Sequence, residues 1–223
     1  MTVKTILSRS IIILIISVIY PVFVYGQQPV SYDLFTLAEK QGFQVFNREV
    51  KSFSEGSDKG AFLTEAENYG VAWINNLVFS NGTIEFELKG KDVSQRSFLG
   101  IAFHGENETT FDAIYFRPFN FQPTDPVRKT RAVQYVSLPD NDWPKLRAEY
   151  EGKYESAVIP ATNPNKWFHV TIKVDYPKVQ VYINGEKEPC LSIEQLSSRK
   201  TGKLGLWVGN NSDGYFKNLV IRD

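Results

Sequence analysis

Apolar and polar residues alternate along most of the chain after Phe43. From 83 to 89, Ile, Phe and Leu alternate with Thr, Glu and Lys, and from 168 to 174, Phe, Val and Ile alternate with His, Thr and Lys. A period of two places successive side chains on opposite faces of a strand, so each stretch is predicted to be a half-buried β-strand. Asn-Gly, Asp-Tyr-Pro and similar turn sequences separate such strands.

The same pattern predicts an all-β fold, a two-sheet antiparallel β-sandwich of the jelly-roll type. The predicted strands are 60–65, 71–79, 83–89, 98–104, 112–118, 132–137, 168–174, 179–184, 203–209 and 215–222. A hairpin is predicted to join two of them across 174–179, with Pro177 confined to the turn because it cannot donate to a ladder. One short inserted helix is predicted from Asp142, a good N-cap, to Glu151, before Gly152.

The first 26 residues differ in kind from the rest. Lys4 and Arg9 precede an apolar run from Ile11 to Tyr25, and the small Gly26 follows, which is typical of a cleaved secretory signal. The run is shorter than the roughly 20 residues that span a bilayer, so cleavage is favoured over a retained anchor. We therefore expect residues 27–223 to form a single periplasmic or secreted domain, free of the membrane after cleavage.

Charge and residue counts exclude several classes of site. Lys+Arg and Asp+Glu both number 25, so no basic surface predicts a nucleic-acid partner. The chain has one cysteine, Cys190, and two histidines, which cannot supply an internal disulfide or a Cys/His metal centre. Cys190 is interpreted as a packed apolar residue. We expect no metal and no cofactor.

Four predicted strands carry an unusual set of residues between their core positions. Small side chains at these positions accompany Tyr, Arg, Gln, His and Trp, whereas a solvent-exposed sheet face normally carries Thr, Glu and Lys. Small residues leave a floor from which a few large side chains can project, so this face is predicted to line a groove. Its members are Gly100, Ala102, His104, Ala113, Tyr115, Arg117, Ala132, Gln134, Gly205, Trp207 and Gly209.

This composition points to carbohydrate binding. We expect Trp207 and Tyr115 to stack against a sugar face, and Arg117, Gln134, His104 and Asn120 to bind its hydroxyl groups. Two alternatives stay open: Arg117 can instead cover an apolar surface with its stem, and Trp207 can be a core residue if its strand carries a bulge.

Three stretches carry a family resemblance: Asn81-Gly-Thr-Ile-Glu-Phe-Glu-Leu, Leu99-Gly-Ile-Ala-Phe-His, and Thr201-Gly-Lys-Leu-Gly-Leu-Trp followed by Phe216-Lys-Asn-Leu-Val-Ile. Their order resembles the concanavalin A-like lectin/glucanase superfamily, which includes laminin G-like domains, and more narrowly the 3-keto-disaccharide hydrolase family of bacterial secreted proteins. The resemblance implies a jelly roll that binds or cleaves glycosides. The Gly-Leu-Gln-Asp-His ending of that family is replaced here by Gly205-Leu206-Trp207-Val208-Gly209.

Two rival functions remain beside carbohydrate binding. The first is a glycoside hydrolase acting on 3-keto-disaccharides or related glycosides, with His104 or a carboxylate from the 105–112 loop transferring the proton. The second is a laminin G-like protein-interaction domain that uses the loop at 122–131 and the helix at 142–151. Catalytic residues are otherwise unassigned.

Overall fold

A computed structural model describes residues 28–222 and shows two antiparallel sheets packed face to face. In chain order the strands are β1 (Val30–Tyr32), β2 (Phe43–Phe46), β3 (Val50–Glu55), β4 (Asp58–Leu63), β5 (Gly70–Phe79), β6 (Gly82–Lys89), β7 (Leu99–Asn107), β8 (Thr110–Phe116), β9 (Val133–Leu138), β10 (Glu155–Ser156), β11 (Phe168–Asp175), β12 (Lys178–Ile183), β13 (Leu191–Glu194), β14 (Gly202–Val208) and β15 (Gly214–Arg222). The helices are α1 (Leu34–Glu39), α2 (Pro126–Lys129) and α3 (Trp143–Glu149), with a 3₁₀ turn at Pro118–Asn120. The predicted all-β sandwich is confirmed.

The first sheet has the strand order β13-β12-β11-β6-β15-β4-β3, with β1 paired to β15. Burial alternates along its strand β6 as predicted: Ile84, Phe86 and Leu88 are fully buried, while the residues between them are partly exposed. Strands β11 and β12 form the predicted hairpin, in which Val174 pairs with Val179 and Pro177 lies in the turn.

The second sheet has the order β10-β9-β8-β7-β14-β5-β2. Phe116 on β8 faces the first sheet, because its ring packs edge-on against Phe168 of β11 at 5.3 Å. The neighbouring Tyr115 therefore points away from the core. The register aligns Trp207, Gly100, Tyr115 and Gln134 as successive partners across four strands, so their side chains share this outer face.

Helix α3 forms where it was predicted, although it is shorter than the predicted span. Asp142 caps it by accepting a hydrogen bond from the Trp143 backbone N–H at 2.6 Å, and Leu146 is its buried residue. Strand β10 then pairs with β9 at the edge of the second sheet. The insertion between β9 and β11 is thereby attached to the edge of the second sheet.

The predicted signal segment, residues 1–26, lies outside the described residues. Between 28 and 222, no helix is long and apolar enough to cross a membrane.

Candidate functional site

A cavity of about 850 Å³ lies on the outer face of the second sheet. Its floor comes from β8, β9, β14 and Tyr69, one wall from the end of β2 and from Asn47 and Asn68, and the other wall from the turn between β9 and α3. It is lined by Phe46, Asn47, Asn68, Tyr69, Phe98, Thr109, Tyr115, Val136, Leu138, Pro139, Asp142, Trp143, Trp207, Gly209 and Asn210.

Three aromatic rings form the continuous base of this cavity. The ring of Trp207 lies 4.8 Å from that of Tyr115 and 6.3 Å from that of Tyr69, the latter pair nearly parallel at 23°. Gly100 stands between Trp207 and Tyr115 in the register, and a Cβ there would come within 2.1 Å of a backbone oxygen, so only glycine fits. The indole Nε1 of Trp207 is buried and has no hydrogen-bond partner among residues 28–222.

The walls add two accessible rings and several amides. Trp143 is 43% exposed and Phe46 is 38% exposed, so both present apolar surface at the mouth. Asn68 and Asn210 are tied together at the rim, where the Asn68 backbone N–H donates to Asn210 Oδ1 at 2.6 Å. Such a mixture of aromatic faces and amides can bind a ligand that has both apolar and hydroxyl-bearing surfaces.

The electrostatic character of the cavity is mildly acidic. Among the described residues that line it, Asp142 is charged and none is a lysine or arginine. Burial raises the pKa of the Tyr69 hydroxyl, and the nearby carboxylates of Asp142 and Glu108 raise it further. Burial also raises the pKa of Tyr115 to about 12, so its phenol keeps its proton at neutral pH.

Arg117 lies beneath this base and is 5% exposed. Its Nη2 donates to the Tyr115 hydroxyl at 2.7 Å and to Gln134 Oε1 at 3.1 Å, and its Nη1 donates to the Arg131 carbonyl at 3.0 Å. Burial lowers the pKa of the guanidinium. Because its donors already have partners inside the protein, Arg117 supports Tyr115 from behind.

Glu155, which sequence reasoning missed, completes this buried cluster. Its carboxylate accepts two hydrogen bonds from Arg147 of α3, from Nε at 2.8 Å and from Nη2 at 2.5 Å. Arg117 and Arg131 lie 3.6 and 3.7 Å from the same carboxylate. No pattern around residue 155 signalled this role, because Arg117 and Arg131 are distant in the chain and β10, with two residues, is too short for a visible alternation.

The structure brings together four of the six predicted binding residues: Tyr115, Arg117, Gln134 and Trp207. Tyr115 and Trp207 line the cavity, while Arg117 and Gln134 lie in the buried cluster behind it. Gln134 Nε2 donates to the Tyr135 and Tyr154 carbonyls.

Asn120 and His104 lie away from the cavity. Asn120 donates to the Arg131 carbonyl at 3.0 Å and accepts from Arg128, which secures the 118–131 loop. His104 is fully buried; its Nε2 is 2.6 Å from the Ser80 carbonyl and its Nδ1 is 3.1 Å from Gln195 Nε2. Burial lowers the His104 pKa, which favours a neutral ring. The cause of its placement is a bulge after Phe103, where His104 adopts a positive φ of 50° and the alternation is interrupted.

Asp112, a carboxylate of the 105–112 stretch considered above for proton transfer, is also internal. Asp112 is fully buried and accepts from the Tyr135 hydroxyl at 2.5 Å, Ser197 Oγ at 2.8 Å and Arg199 Nε at 3.0 Å. This network attaches the 195–199 segment to the sheet. Within residues 28–222, no group of three or more His, Cys, Asp and Glu side chains could hold a metal ion.

The part of the chain that forms most of the sandwich matches a known protein family. Residues 40–222 match the family described as the 3-keto-alpha-glucoside-1,2-lyase-like domain. The chain belongs to this family. Among curated proteins, none matches the sequence significantly.

Solved structures share the fold of this family member at low sequence identity. A carbohydrate-binding module, CBM66 from Bacillus subtilis, superposes with a TM-score of 0.56 at 14% identity, covering 80% of this chain and 93% of that one. A structure from Parabacteroides distasonis described as a glycosyl hydrolase has a TM-score of 0.56 at 13% identity, covering 87% of this chain and 99% of that one. A Bacillus subtilis protein with a galectin-like fold gives 0.57 at 12% identity, covering 88% and 96%. At these identities the similarity establishes the fold.

Proposed function

We propose that this protein binds a carbohydrate in the cavity on the outer face of its second sheet. The observation that carries the proposal is the aromatic base made by Trp207, Tyr115 and Tyr69, with an unpartnered indole N–H. The cavity volume of about 850 Å³ is within the usual range for small-molecule sites. The carbohydrate-binding module with the same fold gives independent support.

The chemistry of the walls favours a neutral sugar over an acidic one. Sugar rings present an apolar C–H face to an aromatic ring and hydroxyl groups at their edges, which match the exposed ring of Trp143 and the rim amides of Asn68 and Asn210. The base contributes the rings of Trp207, Tyr115 and Tyr69, and the buried Nε1 of Trp207 has no partner among residues 28–222. Asp142 would repel a uronate or a sulfate, and no cation among the described lining residues would compensate.

A glycan array followed by titration calorimetry tests this function. Trp143→Ala should weaken the binding of a positive glycan by about tenfold or more, because one stacking contact of about 1.4 kcal/mol corresponds to that factor. The matched control is Trp167→Ala, which removes a half-exposed tryptophan from the outer face of the first sheet. Equal losses in both variants would show that the cavity is not the binding site. Tight binding of an acidic glycan would contradict the preference for a neutral sugar.

A second candidate is elimination on 3-keto-glucosides, which the family match and the position of Asp142 favour. A ketone at C3 acidifies the proton at C2. The Asp142 carboxylate would take that proton, the C–H electrons would form a double bond between C1 and C2, and the C1–O bond would break. The departing oxygen would leave with a proton from water or from the protonated carboxyl group.

Asp142→Asn isolates this activity, because asparagine keeps the helix N-cap while it removes the base. Release of p-nitrophenol from a 3-keto-glucoside by the parent protein, abolished in Asp142→Asn, would support the lyase. Glycan binding without any release in the parent would leave the protein as a binding domain. We also propose that it acts in the periplasm or outside the cell, which immunoblotting of fractions from the native organism would test.

A further inference from the structure

A chain of contacts leads from the buried cluster to the exposed wall of the cavity. Arg147 makes two contacts at once: its guanidinium donates two hydrogen bonds to Glu155, and it packs over the ring of Trp143 at 5.0 Å from the centroid. Trp143 is the most exposed of the aromatic residues that line the cavity. The Trp143 ring therefore packs against a side chain that does not itself line the cavity.

Each link in this chain restricts the next. Glu155 is 7% exposed and sits on β10, which pairs with β9, so its backbone is fixed to the sheet. A carboxylate that receives two parallel N–H groups fixes the plane of a guanidinium as well as its position. The oriented plane of Arg147 then supplies a flat surface for the Trp143 ring. Helix α3 has only seven residues, so side-chain contacts are needed to fix its first turn.

The same carboxylate reaches the base of the cavity. Glu155 lies 3.6 Å from Arg117, and Arg117 donates to the Tyr115 hydroxyl at 2.7 Å. One buried group thus contacts the supports of both Tyr115 and Trp143. From this geometry we infer that Glu155 is a positioning residue: acting through Arg147 and Arg117, it sets the distance between the base and the wall of the cavity, and hence its fit to a sugar ring. This inference rests on the proposed function.

The test uses the whole protein labelled with 5-fluorotryptophan. The chain has four tryptophans, and single Trp→Phe variants would assign their ¹⁹F signals. Arg147→Met should shift or broaden the Trp143 signal and weaken glycan binding by about tenfold, with the Trp167 signal unchanged. Glu155→Gln should do the same. Arg147→Lys should restore little of the glycan affinity or of the parent Trp143 signal, because an ammonium group cannot reproduce two parallel N–H donors or the flat guanidinium surface.

Matched controls lie on the other sheet. Glu87→Gln removes a partly buried carboxylate that contacts Lys217 at 3.1 Å and Asn218 at 2.6 Å, and Arg222→Met removes an arginine paired with Glu85. Neither should change the Trp143 signal or the affinity. If Glu155→Gln does not fold, Arg147→Met carries the test, because the Arg147 side chain is 23% exposed and its loss is better tolerated.

The outcomes separate the two proposals. If Arg147→Met lowers the melting temperature but leaves both the Trp143 signal and the affinity unchanged, the cluster is only structural and the inference is wrong. If the parent binds no glycan at all, the proposed function fails. In that case the Trp143 signal alone decides whether Glu155 positions the wall: a shift in the variants supports it, and an unchanged signal overturns it.

Discussion

Replacing Arg117 by methionine should destabilise the protein far more than replacing a surface arginine. Methionine keeps much of the apolar stem volume but removes all the donors. The Tyr115 hydroxyl, Gln134 Oε1 and the Arg131 carbonyl each lose a hydrogen bond from a charged group, and Glu155 loses one of its cations. All of this occurs at a side chain that is 6% exposed.

The magnitude follows from general values for buried charged groups. Breaking a buried ion pair costs about 3 to 5 kcal/mol when the remaining partner has no other compensation. Glu155 keeps Arg147 and Arg131, and the Arg131 carbonyl keeps its hydrogen bond from Asn120, which lowers the cost. The Gln134 Oε1 loses its bond from Arg117, which raises the cost. We therefore expect a loss of about 3 to 5 kcal/mol, or about 6 to 20 °C in melting temperature for a domain of this size.

Guanidinium denaturation followed by tryptophan fluorescence measures this loss. The matched control is Arg96→Met: Arg96 is 56% exposed and paired with Glu65, and an exposed ion pair contributes little. The midpoint should fall strongly for Arg117→Met and hardly at all for Arg96→Met. Similar midpoints for the two variants would refute the buried, satisfied role of Arg117 and would return it to the cavity as a ligand contact.

Three further predictions test other parts of the fold. Because burial lowers the His104 pKa, the unfolded chain binds a proton at this residue before the folded protein does as the pH is lowered below about 6.5. The free energy of unfolding should therefore decrease as the pH is lowered, by at most about 1.4 kcal/mol per pH unit. Urea titrations at several pH values measure this slope, and His104→Gln should flatten it. Burial raises the pKa of Cys190 to about 12, so a thiol reagent at pH 7.5 should label it much more slowly in the native protein than in 6 M guanidinium, and equal rates would contradict its packed state. Gly105→Ala should cost about 1 to 3 kcal/mol in denaturant titration, because a Cβ at residue 105 would lie 2.4 Å from the Trp73 ring; a neutral effect would mean that this ring moves freely.

The sequence predicted the main strands because alternation survives where one face of a strand is buried. Strands β6, β11 and β12 show it over six to eight residues, and all three were predicted. Strands β1, β2, β3, β10 and β13 were missed. Strands β1 and β10 have only three and two residues, and β3 has no fully buried residue. Helix α1 was missed because its six residues are too few for a helical period, although Asp33 caps it.

The same alternation placed Gly100, Tyr115, Gln134 and Trp207 on one face, and the strand register has them there. It could not locate His104, because a single bulge residue reverses the faces that follow. It also could not show that Arg117 is already satisfied, since the relevant carboxylate is 38 residues away at Glu155. Contacts of that kind depend on the insertion folding back, which no local pattern encodes.

The most direct test of the account is a ¹⁹F titration of the fluorotryptophan-labelled protein with a glycan that it binds. Two of the four tryptophans, Trp207 and Trp143, line the cavity, whereas Trp167 lies on the other sheet among Phe53 and Tyr215. We predict saturable shifts of the Trp207 and Trp143 signals with one dissociation constant, and an unchanged Trp167 signal. A shift at Trp167 with Trp207 and Trp143 unmoved would place the ligand on the opposite face and contradict the account.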